Sequence, residues 1–220
     1  SNIDFTCDKC TIAELPNTEC LEEPSITLNT STPILSSDSE EHFENKFDQY
    51  DCFKRRGLHF IQFNARSLTP IVDEVKLLAK STNAACIAVT ETWLDSTITE
   101  QEVAIPGYSN TRRDRNRNGG GVALYIRDNI AYNRRDDLTG DTEFLAVDLL
   151  LPKTKTILIG VAYRPQTDYH FYQNIEDILL ASPNFVQQET YILGDFNTYM
   201  LAKKDNSLKK ALNNFLKIFD

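Results

Sequence analysis

From residue 58 onward the chain alternates between short apolar runs and helical periods. Residues 58–63 (LHFIQF) form a β-type run that stops at Asn64. Thr69 is a candidate N-cap with Pro70 at the first helical position, and Val72, Val75, Leu78 and Ala79 follow at helical spacing. Residues 84–90 (AACIAVT) are continuously apolar up to the final Thr, the mark of a strand covered on both faces. Residues 121–126, 144–151 and 156–163 read as further strands, the last two joined by the turn-like Pro152-Lys153-Thr154-Lys155. A helix is predicted over 169–181, a strand over 190–193 ending at Gly194-Asp195, and a helix over 208–219 with Leu208, Leu212, Phe215 and Phe219 on one side. Strands that alternate with helices but also follow one another as hairpins predict an α/β (α+β) domain with mixed sheets, starting near residue 58.

Residues 11–57 behave differently. They are rich in Thr, Ser, Asn, Pro and Glu, and their apolar residues have no period. Such a segment buries too little apolar surface to offset the entropy of ordering, so an acidic disordered linker is expected. The first 57 residues carry twelve Asp and Glu against five Lys and Arg, which places −7 of the net charge of −9 there. The remaining chain is nearly neutral and has room for a local basic patch, so the overall acidity does not exclude a nucleic-acid partner. No apolar run approaches the ~20 residues that span a bilayer, and no membrane partner is expected. The chain begins at Ser1, without a Met, as a fragment would.

The five cysteines are Cys7, Cys10, Cys20, Cys52 and Cys86. An odd count without even spacing is not a disulfide framework, and an intracellular, reducing compartment is expected. Cys86, inside an apolar run, behaves as a small hydrophobe. Cys7 and Cys10 make half of a zinc site, and a closed site needs four ligands.

Four strands end in polar residues that strand propensity would not choose: Asn64, Glu91, Tyr163 with Arg164, and Asp195 with Asn197. If these ends share one sheet edge, the side chains converge. Glu91 and Asp195 then offer hard oxygen ligands with Asn64 beside them, a set suited to Mg²⁺ and to metal-assisted phosphoester hydrolysis. Arg112, Arg113, Arg115 and Arg117, just before the glycines at 119–121, read as a positive loop able to touch DNA phosphates.

The segments NARSL, TETWLD, the Arg-rich stretch leading to GGGVALYIRD, VAYRPQ and ILGDFN resemble, in this order, the endonuclease/exonuclease/phosphatase superfamily. Their wording is most similar to the apurinic-endonuclease-like domain of LINE-type (non-LTR) retrotransposons, from about residue 58 to the end. The resemblance implies a four-layer αββα sandwich. It also implies a Mg²⁺- or Mn²⁺-dependent phosphodiesterase that nicks DNA in the nucleus, in cis with a reverse transcriptase. It implies that Asn64 and Glu91 hold the metal and that Tyr163 contacts the scissile phosphate. Asp195 would orient or deprotonate the attacking water, and Asn197 would contact phosphate and nucleophile. Residues 5–10 (FTCDKC) resemble the closing end of a PHD-type zinc finger, and what remains of it is not expected to hold zinc.

The family continues to a further Asp and a Ser-Asp-His strand end. Neither His42, His59 nor His170 stands at that position, so a domain incomplete at its C-terminus is expected, with no turnover from the 220 residues alone. The alternatives are a phosphatase or phosphodiesterase of the same fold acting on a small or lipid phosphate, and a catalytically dead remnant.

Overall fold

The computed structural model describes residues 11–13, 57–183, 185–198 and 207–217. Cys7, Cys10 and nearly all of the predicted linker lie outside the described residues. Among the described residues two mixed sheets pack face to face. The first contains β1 (Thr11–Ala13), β2 (Phe60–Asn64), β3 (Cys86–Thr90), β4 (Tyr108–Arg113) and β5 (Val122–Arg127), in the order β1-β2-β3-β5-β4. The second runs β6-β7-β8-β9, with β6 Ala131–Arg134, β7 Glu143–Leu150, β8 Ile157–Tyr163 and β9 Glu189–Asp195. Helix α1 (Val72–Thr82) covers the outer face of the first sheet. Helices α2 (Phe171–Leu180) and α3 (Ser207–Leu216) cover the outer face of the second.

The period of two along each strand builds this layering. In β3, Ile87 and Val89 face Val75, Leu78 and Ala79 of α1, whereas Cys86 and Ala88 face the second sheet. In β8, Ile157, Ile159 and Val161 meet the first sheet, whereas Leu158 and Ala162 meet Phe171, Ile175 and Leu179 of α2. Three apolar layers therefore separate four layers of backbone, as the sequence led one to expect. Each fully buried Leu, Ile or Phe in them contributes about 1.5–3 kcal/mol relative to an exposed one. Cys86 is fully buried in the middle layer, and desolvation pushes its thiol up to about 12.

Three local features differ from the sequence reading. Thr69 caps nothing: a 3₁₀ turn at Thr69–Ile71 precedes α1, and neither start has a side-chain cap. The stop signal of α1 is Asn83, left-handed at φ 48°, whose N–H returns to the Ala79 carbonyl. The Arg-rich stretch is only partly a loop, because Arg112 and Arg113 end edge strand β4, in register with Ala123 and Val122. Strands β1, β4 and β6 had no apolar pattern to announce them. The first is three residues long, and the other two each contain at most one buried residue.

Among the described residues only two neighbouring strand pairs are parallel. They are β2 with β3, with Asn64 opposite Thr90, and β8 with β9, with Tyr163 opposite Asp195. Parallel pairing brings the C-terminal ends of both strands of a pair to the same edge. Gly194 makes the second pairing close. A β-carbon there would lie 1.9 Å from the Ala162 carbonyl oxygen, at φ +149°. Gly194→Ala is therefore expected to cost at least about 3 kcal/mol in denaturant unfolding. Gly107→Ala, left-handed but with open space around it, should cost only about 1–2 kcal/mol. Equal losses from the two would contradict this account of the β8–β9 pairing.

Candidate active site

The two parallel pairs end at the same mouth. Asn64 closes β2, and its side-chain N–H₂ donates to Glu91 Oε1 and to Asp195 Oδ2, both at 2.8 Å. One amide thus joins the first sheet to the second. Its oxygen accepts the Arg66 N–H at 3.1 Å, so the nitrogen, not the oxygen, faces the carboxylates. The sequence reading made Asn64 an oxygen ligand; in this arrangement it acts as a bridge that holds two carboxylates in place.

The Tyr163 phenol lies near enough to Glu91 for that carboxylate to act on it. Burial first, and then the negative charges of Glu91, Asp195 and Glu143, push its phenol up to about 12. Asp195 Oδ1 accepts the Asn197 N–H at 3.0 Å, and the Asn197 amide donates to the Arg164 carbonyl at 2.8 Å. Asn197 therefore shapes the loop after β9 beside the cluster. The five residues singled out at strand ends, Asn64, Glu91, Tyr163, Asp195 and Asn197, come together. His59 stands at the opposite end of β2 from Asn64, and His170 precedes α2.

Two further residues belong to the site. Glu143 lies opposite Tyr163 across β7 and β8. It accepts the Gly121 N–H at 2.6 Å and pairs with Arg115 at 2.8 Å. Side chains at Gly120 and Gly121 would strike Glu143 and Thr92, which explains the glycine run by close packing. Arg164 is 1 % exposed. Its guanidinium donates to the carbonyls of Phe196 at 2.6 Å, Asn197 at 2.7 Å and Asp168 at 2.9 Å, with Pro165 and Gln166 further out. It pins the loop after β8 to the loop after β9. The sequence reading gave Glu143 no role and named Arg164 only as part of a strand end.

The backbone around this mouth is unusual. Five of the seven non-glycine residues with positive φ among the described residues are Arg66, Ser67, Glu91, Trp93 and Asn197. They occupy the turns that carry Asn64, Glu91 and Asp195. Each costs on the order of 1–3 kcal/mol and persists only where surrounding bonds over-determine it. Here they do: Ser67 N–H bonds the Glu91 carbonyl at 3.0 Å and Trp93 N–H the Gly120 carbonyl at 3.0 Å.

Two carboxylates that share one amide donor form a hard, oxygen-only set, which fits Mg²⁺ or Mn²⁺ with water completing the shell. No group of three or more His, Cys, Asp and Glu able to hold a metal occurs among the described residues, so the protein would supply only part of the shell. Of the four arginines, Arg112 is held by Glu100, Asp114 and the Ile98 carbonyl, and Arg113 by the Gly140 and Phe144 carbonyls. Arg115 is 45 % exposed, and Arg117 is exposed. Of the four arginines expected to meet phosphate, Arg115 and Arg117 are thus the two whose guanidinia the fold leaves accessible.

Two mixed sheets in a four-layer sandwich, with carboxylates gathered where parallel strands end, define an α/β class with an acidic mouth. The chain belongs to the Endonuclease/Exonuclease/phosphatase family, whose model matches residues 61–211. Among solved structures it is similar to the endonuclease domain of TRAS1, a telomere-specific non-LTR retrotransposon. That match has a TM-score of 0.58 and 14 % identity over 74 % of this chain and 71 % of that one. It is also similar to the 3′ phosphatase NExo from Neisseria bound to product DNA hairpin, with a TM-score of 0.55 and 12 % identity over 74 % and 71 %. An AP endonuclease from Archaeoglobus fulgidus gives a TM-score of 0.53 and 15 % identity over 74 % and 71 %. At these identities the likeness shows the fold. A comparison with curated proteins finds no match.

The raised Tyr163 phenol has a stability consequence. An unfolded tyrosine ionises near 10 and this one near 12, so its contribution is complete below pH 10 and is lost as pH rises from 10 to about 12. Tyr108 and Tyr125 are raised by burial in the same direction. The Tyr163 share is therefore measured as a difference: across that window Tyr163→Phe should lose less stability in urea unfolding than the parent. Identical pH slopes would mean that the phenol is not held by the cluster.

Proposed function

We propose that the domain is a Mg²⁺- or Mn²⁺-dependent phosphodiesterase that nicks DNA. The observation that carries the reading is the double hydrogen bond from Asn64 to Glu91 and Asp195, with Tyr163 against Glu91. Glu91 and Asp195 are the residues that would hold the cation. When bound, it neutralises charge on the non-bridging phosphate oxygens. Asp195 would accept a proton from the attacking water. Tyr163, protonated at any physiological pH, would offer its hydroxyl to a phosphate oxygen. Asn64 keeps the two carboxylates in register, and Arg164 keeps the loops after β8 and β9 at a fixed separation.

DNA as substrate is supported by the motif wording and by Arg115, which Glu143 orients at the rim beside Tyr163. A reverse transcriptase in the same polypeptide and a nuclear location belong to the same proposal, and rest on the motif wording alone.

Two measurements test the reading. Mn²⁺ binding, followed by paramagnetic resonance, should weaken at least about tenfold in Glu91→Ala, since a cation here depends on one or two carboxylates. Any plasmid nicking in Mg²⁺ should depend wholly on Glu91, because such groups act as a unit. Nicking by Glu91→Ala at the parental rate would overturn the assignment.

Arg115 and Arg117 supply the second prediction. Replacing both by Ala should reduce the salt slope of log K for duplex DNA by up to about 1.8, or about 0.9 for each phosphate that is no longer neutralised. Arg112→Ala should instead lower the melting temperature and leave the slope unchanged. An unaltered slope in the double variant would remove this segment from the interface.

A further inference from the structure

The loop that leaves β8 carries Pro165, Gln166, Thr167, Asp168, Tyr169 and His170 before α2 begins. Tyr169 is 71 % exposed, the most exposed aromatic side chain among the large hydrophobics of the described residues. Leaving a Tyr in water forgoes burial of a large apolar surface, and a loop needs no aromatic residue to make its turn. The loop itself is held firmly. Asp168 N–H bonds the Pro165 carbonyl at 3.0 Å, and the Asp168 carboxylate accepts the His170 N–H at 3.0 Å. The Asp168 carbonyl takes a guanidinium N–H of buried Arg164. Immediately after Tyr169 and His170, Phe171 is fully buried under the second sheet. Tyr169 is thus fixed on both sides at the backbone while its ring stays in solvent. The group that fixes it, Arg164, also fixes Phe196 and Asn197 beside Asp195.

A ring presented on a rigid loop six positions after Tyr163 loses little entropy when a partner covers it. Its surface is apolar on the faces and polar at the hydroxyl. Nucleobases match it, since every base has a π-face and stacks on aromatic side chains with little regard to sequence. A lipid or inositol phosphate offers no such face. We propose that Tyr169 is a stacking platform for a base of the DNA strand next to the phosphate bound at Tyr163. The inference rests on the DNA reading above and deepens it: the site would read a phosphate within a base-bearing chain.

The test uses the full 220-residue protein and measures binding, so it does not depend on turnover. Two single-stranded oligonucleotides of equal length and charge serve as probes, one of natural bases and one built entirely of abasic tetrahydrofuran residues. The parent should bind the natural strand more tightly. Tyr169→Ala should weaken that binding by about five- to 150-fold, the range for removing one base–aromatic stack, and leave the abasic strand unaffected. Tyr169→Phe should retain parental affinity for both. At 71 % exposure neither change should disturb folding, which an unaltered melting temperature would confirm. If the parent binds the natural strand and Tyr169→Ala binds it equally well, the platform is wrong and the DNA reading stands. Equal weakening on both strands would also overturn it, since the ring would then act on the backbone or on the fold. Failure of the parent to bind either strand would overturn the DNA reading and the platform together.

Discussion

Everything at the mouth of this domain depends on where two sheets lie relative to each other. Glu91 belongs to the first sheet and Asp195 to the second, and the amide of Asn64 touches both at 2.8 Å. The bridge is possible only because each sheet contributes a parallel pair whose strands end at the same place. The distance between the pairs is set by the middle apolar layer, in which Ala88, Leu124, Val147, Ile159 and Val161 interdigitate. Interiors pack densely enough to transmit a change of one methylene. The core between the sheets thus sets the geometry of the mouth.

The loops around that geometry are held by buried polar groups rather than by apolar packing. Arg164 is a cation almost wholly shielded from water, and its hydrogen bonds among the described residues go to carbonyl oxygens. Burying a charge costs several kcal/mol unless hydrogen bonds replace its hydration. Five carbonyls from two loops provide that replacement, and the same bonds fix the loops. Glu143 does a similar task on the other side, tying the Gly121 N–H and Arg115 to the end of β7. The left-handed residues Glu91 and Asn197 are stable for the same reason: neighbouring hydrogen bonds leave their turns no relaxed alternative.

The core strands and all five strand-end residues were legible in the sequence because two signals coincide there. A run buried on both faces must be apolar, and its abrupt end in Asn, Glu, Tyr or Asp has no packing reason. The edge strands were illegible for the complementary reason. β4 reads Tyr-Ser-Asn-Thr-Arg-Arg and buries a single residue, so neither alternation nor hydrophobicity marks it. Arg112 and Arg113 looked like free cations, since a sequence does not reveal which guanidinia find carbonyls and carboxylates inside the fold. Arg164 was placed at the right strand end, but its burial follows from the path of the loops around it, which no local pattern encodes. Glu143 required knowing which residue lies across from Tyr163 on the neighbouring strand.

The electrostatics of the mouth connect these parts. Glu91, Asp195 and Glu143 gather three carboxylates within reach of the Tyr163 phenol, and their charge helps hold that phenol far above its ordinary value. A phosphodiester is itself an anion. Brought beside this cluster in a partly water-excluded site, it would be repelled by charges whose interaction is several-fold stronger than in bulk water. The amide of Asn64 offers only partial positive charge. Among the arginines the fold leaves Arg115 with half its surface free, and one of its donors is already engaged by Glu143. On the reading proposed above, a cation bound with the phosphate or before it would offset that repulsion. The repulsion itself follows from the carboxylates, and it is the same whether the phosphate belongs to DNA or to a smaller ester.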